Sequence, residues 1–297
     1  MQPIIQCVPN FSEGRDSEVV ESIVRAAGRA SPVRITDYSS DPDHNRLVVT
    51  LLGGPADVRQ AVLAAARQAV ELIDLRRHTG AHPRIGALDV VPLVPVRGIT
   101  MHECVELSYD IGKDISEGLG LPVYFYERSA IKSHRVNLAD IRRGGYEHLV
   151  EEGELTDDHT PDMGPHEAHL TAGATVVGAR GPLVAYNINL DTPDLEVSGA
   201  IVKKMRSGEA RLEDVKSMSV WLASRGKVQV SMNVTRPDIT PLRDVYRYVQ
   251  AEARNLGVEV AESEIIGLIP RRFLDGTSPE ELKAAGFKDS QILDNWL

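Results

Sequence analysis

Two histidines in one short segment are the residues of this chain best suited to proton chemistry. His78 and His82 stand in RRHTGAHPRIGALD, which runs from Arg76 to Asp89. An imidazole titrates near neutral pH, so it can accept a proton in one step and return it in the next. His82 is our candidate for that role, and the alternative is a structural histidine whose ring bonds a turn carbonyl.

A metal site is the other chemistry that the spacing of these histidines allows. Gly80 and Pro83 disfavour continuous helix across the segment, because the residue before a proline avoids the helical region. No acidic residue stands at the spacing of a zinc-protease motif either, so we predict no metal. Arg84 could bind a substrate carboxylate with its planar guanidinium group, or could be a solvated surface residue.

Three further segments carry polar residues in predicted loops. The first, DYSSDPDHNR (residues 37–46), could stabilise a cationic group or form a solvated turn, and it departs from a calcium-binding loop at the glycine and glutamate positions. The second, VPNFSEGR (residues 8–15), precedes a predicted helix, where free backbone amides favour an anion or a capping side chain. The third, residues 161–180, is rich in glycine and proline and lacks the spacings of nucleotide-binding loops.

Apolar periodicity predicts the elements that hold these segments. In the first half it predicts strand, helix, strand, strand, helix and strand at residues 3–9, 16–30, 33–38, 47–52, 56–75 and 88–96. That order is typical of the ferredoxin-like unit, in which two helices cover one face of an antiparallel sheet. A helix at 101–119 and a strand at 122–126 follow, and residues 144–165 are predicted to be a linker because they are rich in Gly, Asp, Glu and Pro.

The second half repeats the pattern. Strands are predicted at residues 174–178, 183–190, 217–223 and 228–235, and helices at 195–205 and 242–256. We therefore predict an α/β protein of the α+β sandwich type. It consists of two ferredoxin-like βαββαβ subdomains, residues 1–165 and 166–297, with a ligand groove between them.

Composition and charge limit the classes of function. The chain has 297 residues with 33 basic and 43 acidic side chains, so its formal net charge is −10. Such a chain repels a polyanion, which argues against a non-specific nucleic-acid binder. Cys7 and Cys104 are too few for a disulfide framework, and no basic leader or run of about 18 apolar residues occurs. We expect a soluble cytoplasmic protein that binds neither nucleic acid nor membrane.

Seven segments together resemble those of the glutamate formiminotransferase family. They occur in the family's order from Gln6 to about Pro270: QCVPNFSEGR, DPDHNR, RHTGAHPRIGALDVVPLVPVRG, LPVYFYE, PDMGP, GARGPLVAYNINL and IIGLIP. The resemblance implies that a formimino group moves from N-formimino-L-glutamate to N5 of tetrahydrofolate, the co-substrate, with release of L-glutamate in histidine degradation. It also implies two α/β subdomains with the folate in the groove between them.

The resemblance assigns roles to individual residues. The family's catalytic histidine falls on His82, which would act as general acid and base, and its folate-contacting loop falls on Gly164–Gly173. A carboxylate nearby would favour a protonated amidine electrostatically, and Asp37, with its loop neighbours Asp41 and Asp43, is the candidate for this role, which the resemblance leaves unassigned. The residues predicted to bind substrate are Gly164, Pro165, His166, Leu170, Thr171, Gly173, Asn10, Arg46 and Arg84. Bifunctional animal relatives carry an acid at the position of Ser39 and an aromatic residue at that of Ala172.

Two alternatives remain open from the sequence. One is a folate-dependent transferase that uses a formyl or another formimino donor. The other is a non-catalytic folate-binding protein, which predicts folate binding that survives His82→Ala and no turnover. Related transferase domains form dimers, so we expect a homodimer. Because a cyclodeaminase domain follows the transferase in bifunctional relatives and this chain ends at Leu297, we expect its product to pass to a separate formiminotetrahydrofolate cyclodeaminase.

Overall fold

The chain divides into two compact units, residues 1–180 and 181–297. The structure, a computed structural model, describes residues 2–208, 210, 212, 214–274 and 276–297. The division comes later than the predicted boundary at 165/166. The reason is strand β7 (Thr175–Ala179), which pairs in parallel with two strands of the first unit and so extends that unit's sheet.

The first unit contains a seven-stranded sheet that includes the predicted ferredoxin-like core. Its other strands are β1 (Ile4–Cys7), β2 (Asn10–Phe11), β3 (Arg34–Asp41), β4 (Arg46–Gly53), β5 (Leu88–Arg97) and β6 (Val123–Phe125). Strands β1 and β2 are two halves of one interrupted strand, since both pair with β4 on one side and β5 on the other. The order β3, β4, β1/β2, β5 is that of a ferredoxin-like sheet, and β7 and β6 continue it in parallel beyond β5.

The three long helices of the first unit, α1 (Ser17–Ala30), α2 (Pro55–Leu72) and α3 (Met101–Leu119), pack on one face of this sheet. The shorter α4 (Leu138–Ile141) and α5 (Gly145–Glu152) follow, and Ile141 and Leu149 belong to a second core on the other face. Local sequence fixes where they begin: the Asp16 carboxylate caps α1, and Thr100 and Glu103 form a capping box at α3. The buried stripes of α1, α2 and α3 share one hydrophobic core with the sheet.

Alternation along β4 separates that core from the face that carries the candidate site. Leu47, Val49 and Leu51 are buried in the core shared with the helices. Successive side chains of a strand point to opposite faces, so Arg46 and Thr50 lie on the face away from these helices. The polar residues singled out in the sequence therefore belong to the sheet's second face.

The predicted linker contains a helix. Helix α5 lies within residues 144–165, and its Tyr146 and Leu149 are buried, as is Leu155 after it. The linker prediction was wrong there because Gly, Asp, Glu and Pro outnumber the few apolar residues. Tyr146 and Leu149 are three apart, which is the spacing of one helical face.

The second unit is a four-stranded antiparallel sheet with two helices. It comprises β8 (Val184–Leu190), α6 (Leu195–Arg206), β9 (Val215–Leu222), β10 (Lys227–Val234), α7 (Leu242–Asn255) and β11 (Val260–Ile266). The strand order β11, β8, β10, β9 is the ferredoxin-like order again, with a core of its own. The sequence prediction missed β11. None of the described helices is long and apolar enough to cross a membrane.

Candidate active site

Hydrogen bonds of one side chain and a close backbone approach join three of the polar segments, at residues 8–15, 37–46 and 76–89. The Asn45 side chain accepts a hydrogen bond from the Gly14 amide (2.9 Å) and donates one to the Thr79 carbonyl (3.0 Å). At Gly80 a Cβ would stand 2.4 Å from the His44 carbonyl oxygen, so only glycine allows the loops to approach this closely. Segments far apart in sequence thus form one rigid surface around the histidine loop.

The fourth segment is attached to the histidine loop by two backbone hydrogen bonds. The Ala87 amide donates to Ala172 and the Ala174 amide donates to Ile85, each over 2.9 Å. Gly173 between them has φ +67°, and a Cβ there would lie 2.0 Å from the Ile85 carbonyl oxygen. The predicted folate-contacting loop and the loop of His82 are therefore neighbours.

The rest of the Gly164–Gly173 segment presents a tight turn to solvent. His169 and Gly173 exchange backbone hydrogen bonds of 3.0 and 2.7 Å, which close the turn. Leu170 at its tip is 56% exposed, while its carbonyl accepts a hydrogen bond from the buried Tyr146. Gly164, Pro165 and His166 are exposed as well, and Thr171 is half-buried. The segment combines an anchored backbone with accessible side chains, as a ligand-contacting loop requires.

The ring of His82 is fixed in one tautomer. Its Nδ1 lies 2.7 Å from the Pro83 carbonyl oxygen, which can only accept a hydrogen bond, so Nδ1 carries the proton. Nε2 then bears the lone pair and makes no hydrogen bond to any described residue. Burial, reinforced by the charges of Arg46 and Arg142, holds the pKa of His82 well below its ordinary value. At neutral pH His82 is therefore an uncharged base with one unengaged nitrogen.

A buried ion cluster lies beside this histidine. The Asp89 carboxylate has no solvent exposure, accepts hydrogen bonds from Arg46 (2.8 Å) and Arg142, and is also bonded by the Ile85 amide (2.9 Å). Burial opposes ionisation of Asp89, but the two guanidinium groups hold its pKa far below the ordinary value. Burial lowers the pKa of Arg46 to about 10, which still leaves it protonated at neutral pH. Arg46 also donates to the Asn10 side chain over 3.0 Å.

This cluster holds one positive charge more than it neutralises. Two guanidinium groups share the single Asp89 carboxylate, and the Arg142 side chain is only 10% exposed. The Nε atom of Arg142 is buried without a hydrogen-bond partner among the described residues. Buried donors are nearly always paired, so a surplus cation with an unused donor marks a place suited to an anion.

His78 and Arg84 form a separate, closed arrangement in the same loop. Nε2 of His78 lies 2.9 Å from the Asn45 carbonyl oxygen, and its Nδ1 accepts from Arg84 Nε over 2.9 Å. Arg84 also donates two bonds, of 2.8 and 2.6 Å, to Glu147. The donors of Arg84 are thus used inside the protein, so its predicted role as a substrate clamp has no support in this geometry, which makes Arg84 part of the loop's scaffold.

Asp37 lies on the same sheet face at a distance from His82's surroundings. It pairs with Thr50 across β3 and β4, and Thr50 is four residues from Arg46 along β4. At about 3.3 Å per strand residue, Asp37 stands roughly 13 Å along the sheet from Arg46. Asp41, the alternative carboxylate, accepts hydrogen bonds from the amides of Asp43 and His44, both 2.8 Å, as a turn residue does.

Comparison with known proteins gives the family. A model described as "Formiminotransferase domain, N-terminal subdomain" matches residues 4–180, and one described as "Formiminotransferase domain" matches residues 185–278. The chain belongs to the formiminotransferase family. The first family match ends where the first compact unit ends.

Named relatives resemble this chain over nearly its whole length. A glutamate formimidoyltransferase of Streptococcus pyogenes serotype M1 is 41% identical over 298 residues, covering 100% of this chain and 99% of that protein. A glutamate formimidoyltransferase of Thermoplasma acidophilum is 39% identical, covering 98% and 96%. A formimidoyltransferase-cyclodeaminase of Sus scrofa is 39% identical, covering 92% of this chain and 51% of its own length.

Sequence reasoning missed two members of the ion cluster. Arg142 follows α4 and precedes the stretch interpreted as a linker, so nothing in its surroundings drew attention to it. Asp89 carried a signal that was not used, because an aspartate inside the apolar run LDVVPLV must be paired if the run is a buried strand. The identity of its partners, Arg46 and Arg142, follows only from the tertiary structure.

Proposed function

We propose that this chain transfers the formimino group of N-formimino-L-glutamate to N5 of tetrahydrofolate, with His82 as the proton carrier. The products are 5-formiminotetrahydrofolate and L-glutamate. Family membership and the names of the relatives support the reaction. The observation that carries the role of His82 is its unengaged Nε2 on an uncharged ring beside a buried surplus of positive charge.

The chemistry needs one group that both accepts and donates a proton. N5 of the folate attacks the amidine carbon, and a bond from N5 to that carbon forms. Nε2 of His82 takes the proton that N5 must lose and returns it to the glutamate nitrogen as the bond from carbon to that nitrogen breaks. Such acid and base catalysis contributes about 10²–10⁴ in rate, and holding both substrates in register contributes further.

Arg142 and Arg46 are proposed to hold a carboxylate of the donor. N-formimino-L-glutamate is a dicarboxylate, and a guanidinium group binds a carboxylate with charge-assisted hydrogen bonds. The unused Nε of Arg142 offers such a bond at the place where positive charge is in excess. Asp37 stands four strand positions along the sheet from Arg46, so we propose that any role of its carboxylate concerns another part of the substrates.

The test is tetrahydrofolate-dependent release of glutamate from N-formimino-L-glutamate by the purified chain. His82→Ala should abolish most of it, while the matched exposed-histidine variant His134→Ala should keep it. Release that persists in His82→Ala would keep the reaction and move the proton transfer elsewhere. Folate binding without release from this donor would reject the reaction, and N-formylglutamate as donor would then separate another transferase from a folate-binding protein.

The remaining inferences from the sequence stay predictions. They are a folate groove between the halves, a homodimer, a cytoplasmic location and delivery of the product to a separate formiminotetrahydrofolate cyclodeaminase. The Gly164–Gly173 loop as the folate contact is likewise part of this proposal. Its support is the backbone pairing that places it next to the loop of His82.

A further inference from the structure

A second cluster of potential ligands lies at the C-terminal end of α5 and in the turn at 157–159, apart from the cluster of Asp89. His148, Glu152 and His159 offer one donor atom each, and these three atoms lie within 4.8 Å of one another. Nε2 of His148 is 3.9 Å from Glu152 Oε2, and Nδ1 of His159 is hydrogen-bonded to the same oxygen. Nitrogen and carboxylate oxygen are ligands that zinc accepts.

The two imidazole rings are close enough to share one zinc ion. Their centroids are 5.1 Å apart and their planes are inclined by 82°. Two imidazoles bound to one tetrahedral zinc, with Zn–N of about 2.0–2.1 Å, would have ring centres about 5 Å apart. Metal binding requires that His159 Nδ1 give up its hydrogen bond to Glu152, so that both groups can face the ion.

The surroundings hold two of these ligands in place. The second oxygen of Glu152 accepts a hydrogen bond of 3.3 Å from the Thr156 amide. The backbone around His159 is fixed by the Tyr124 hydroxyl, which donates to the His159 carbonyl over 2.7 Å, and by the His159 amide, which donates to Thr156 over 2.8 Å. Contacts of this kind to the groups behind the ligands orient a metal site.

We propose that His148, Glu152 and His159 bind a zinc ion, with solvent at the fourth position. The sequence analysis predicted no metal, because it weighed the histidine pair of the other loop and the calcium-like segment 37–46, and not these three residues. Helix α5 also carries Tyr146 and Glu147, which contact Leu170 and Arg84 of the two loops at the candidate active site. Zinc at the end of α5 thus stabilises the helix that supports those loops, and this proposal does not depend on the transferred group.

The direct test is calorimetric titration of Zn²⁺ into chelator-treated protein. One equivalent should bind to the wild type, and His148→Ala should weaken binding more than about 100-fold, since loss of a ligand exceeds the effect of losing its supporting contacts. His134→Ala is the matched control, because His134 is also exposed and also stands 3.9 Å from a carboxylate, that of Asp158. It should bind zinc as the wild type does.

Two further readouts distinguish a built site from surface imidazole. Zinc binding should weaken as the pH is lowered, because a protonated imidazole cannot coordinate the metal. Zn²⁺ should raise the Tm of the wild type and leave that of His148→Ala unchanged. Glu152→Gln keeps an oxygen for the Thr156 amide and serves as a second variant, with circular dichroism checking the fold.

Zinc binding to the wild type and to the variants decides whether the site exists. Saturable binding that both His148→Ala and Glu152→Gln weaken supports the site. Absence of one-to-one binding to the wild type overturns it, as does equal affinity of His148→Ala and His134→Ala. Glutamate release is not part of this experiment, so its result stands whether or not the transfer reaction is established.

Discussion

His78 and His82 stand four residues apart in one loop and have opposite surroundings. Burial lowers the pKa of both, so both rings are neutral at neutral pH. His78 uses both ring nitrogens, one toward the Asn45 carbonyl and one toward Arg84. His82 uses one nitrogen, toward its neighbour Pro83, and keeps the other unengaged. The two rings share residue type and charge state, so what distinguishes His82, our proposed proton carrier, is a nitrogen that no described residue engages.

The largest effect on activity is expected from a substitution of His82. His82→Ala should lower kcat by about 10²–10⁴, because the proton carrier is lost. Its stability should change little, since the ring makes a single hydrogen bond within the loop. Glutamate release and thermal melts of His82→Ala and His78→Ala measure both quantities. The interpretation fails if His78→Ala, once shown to be folded, loses as much activity as His82→Ala.

The next effect concerns the charge beneath His82. Asp89→Asn keeps the side-chain shape but leaves Arg46 and Arg142 without their shared carboxylate, so it should destabilise the fold by about 3–5 kcal/mol. Urea unfolding measures the change. Glu117→Gln, which removes an exposed partner of Lys113 at 3.9 Å, is the control and should leave stability nearly unchanged. Similar values for the two variants would contradict a buried, tightly paired Asp89.

A smaller effect is expected at the His78 end of the loop. Arg84→Lys removes the paired bonds to Glu147 and the bond to His78, and should cost about 1–2 kcal/mol of stability. KM for N-formimino-L-glutamate should stay within about twofold, because uniform loss of binding energy appears in KM only for groups that touch the substrate. A large rise in KM with unchanged stability would restore the substrate-clamp role predicted from sequence.

The lowered pKa values of His78 and His82 predict how stability and activity depend on pH. Unfolded histidine takes up a proton below about pH 6.5, whereas His78 and His82 resist protonation in the fold, so the unfolded state binds more protons there. Stability should therefore be retained above about pH 6.5 and fall as the pH is lowered from there. The acid limb of kcat/KM should lie below the ordinary imidazole pKa. A limb at or above about 6.5 would contradict the lowered pKa of His82.

The smallest effect is expected at Asp37. Its distance of roughly 13 Å from Arg46 along the sheet exceeds the screening length of about 8 Å at physiological salt. Asp37→Asn should therefore change kcat by less than about threefold. A loss of about 10² or more in kcat would instead support Asp37 as the catalytic carboxylate offered by the sequence analysis.

Periodicity predicted most of the fold because amphipathic patterns are local. Helix α3 was predicted at its observed bounds, and the ferredoxin-like order of the first unit followed from the order of elements. Strand β11 was missed because its apolar and polar residues alternate only weakly. Helix α5 was missed because it stands among glycines and acidic residues. The partnership of β7 with β5 was missed because a sheet's order is set by long-range pairing that no local pattern contains.

The site was predictable only in part, for the same reason. His82 and Arg46 stand in segments rich in histidine, arginine and aspartate, which indicate proton transfer or ligand binding. The role of each of two other arginines depends on its ion-pair partner. Arg84 pairs with Glu147 and Arg142 pairs with Asp89, and only the tertiary fold brings these residues together. Sequence reasoning treated Arg46 and Arg84 alike. In the structure Arg84 bonds His78 and Glu147, whereas Arg46 belongs to the buried cluster of Asp89.

The attachment of residues 172–174 to residues 85–87 has a consequence for divergence. The two hydrogen bonds that join these stretches involve backbone atoms alone, and glycine at position 173 satisfies the close approach. Side chains at the exposed tip, such as Leu170, can therefore change in evolution without moving the loop away from His82. Under the roles proposed for this loop and for His82, substitutions at the tip would alter recognition and leave the position of the proton carrier unchanged.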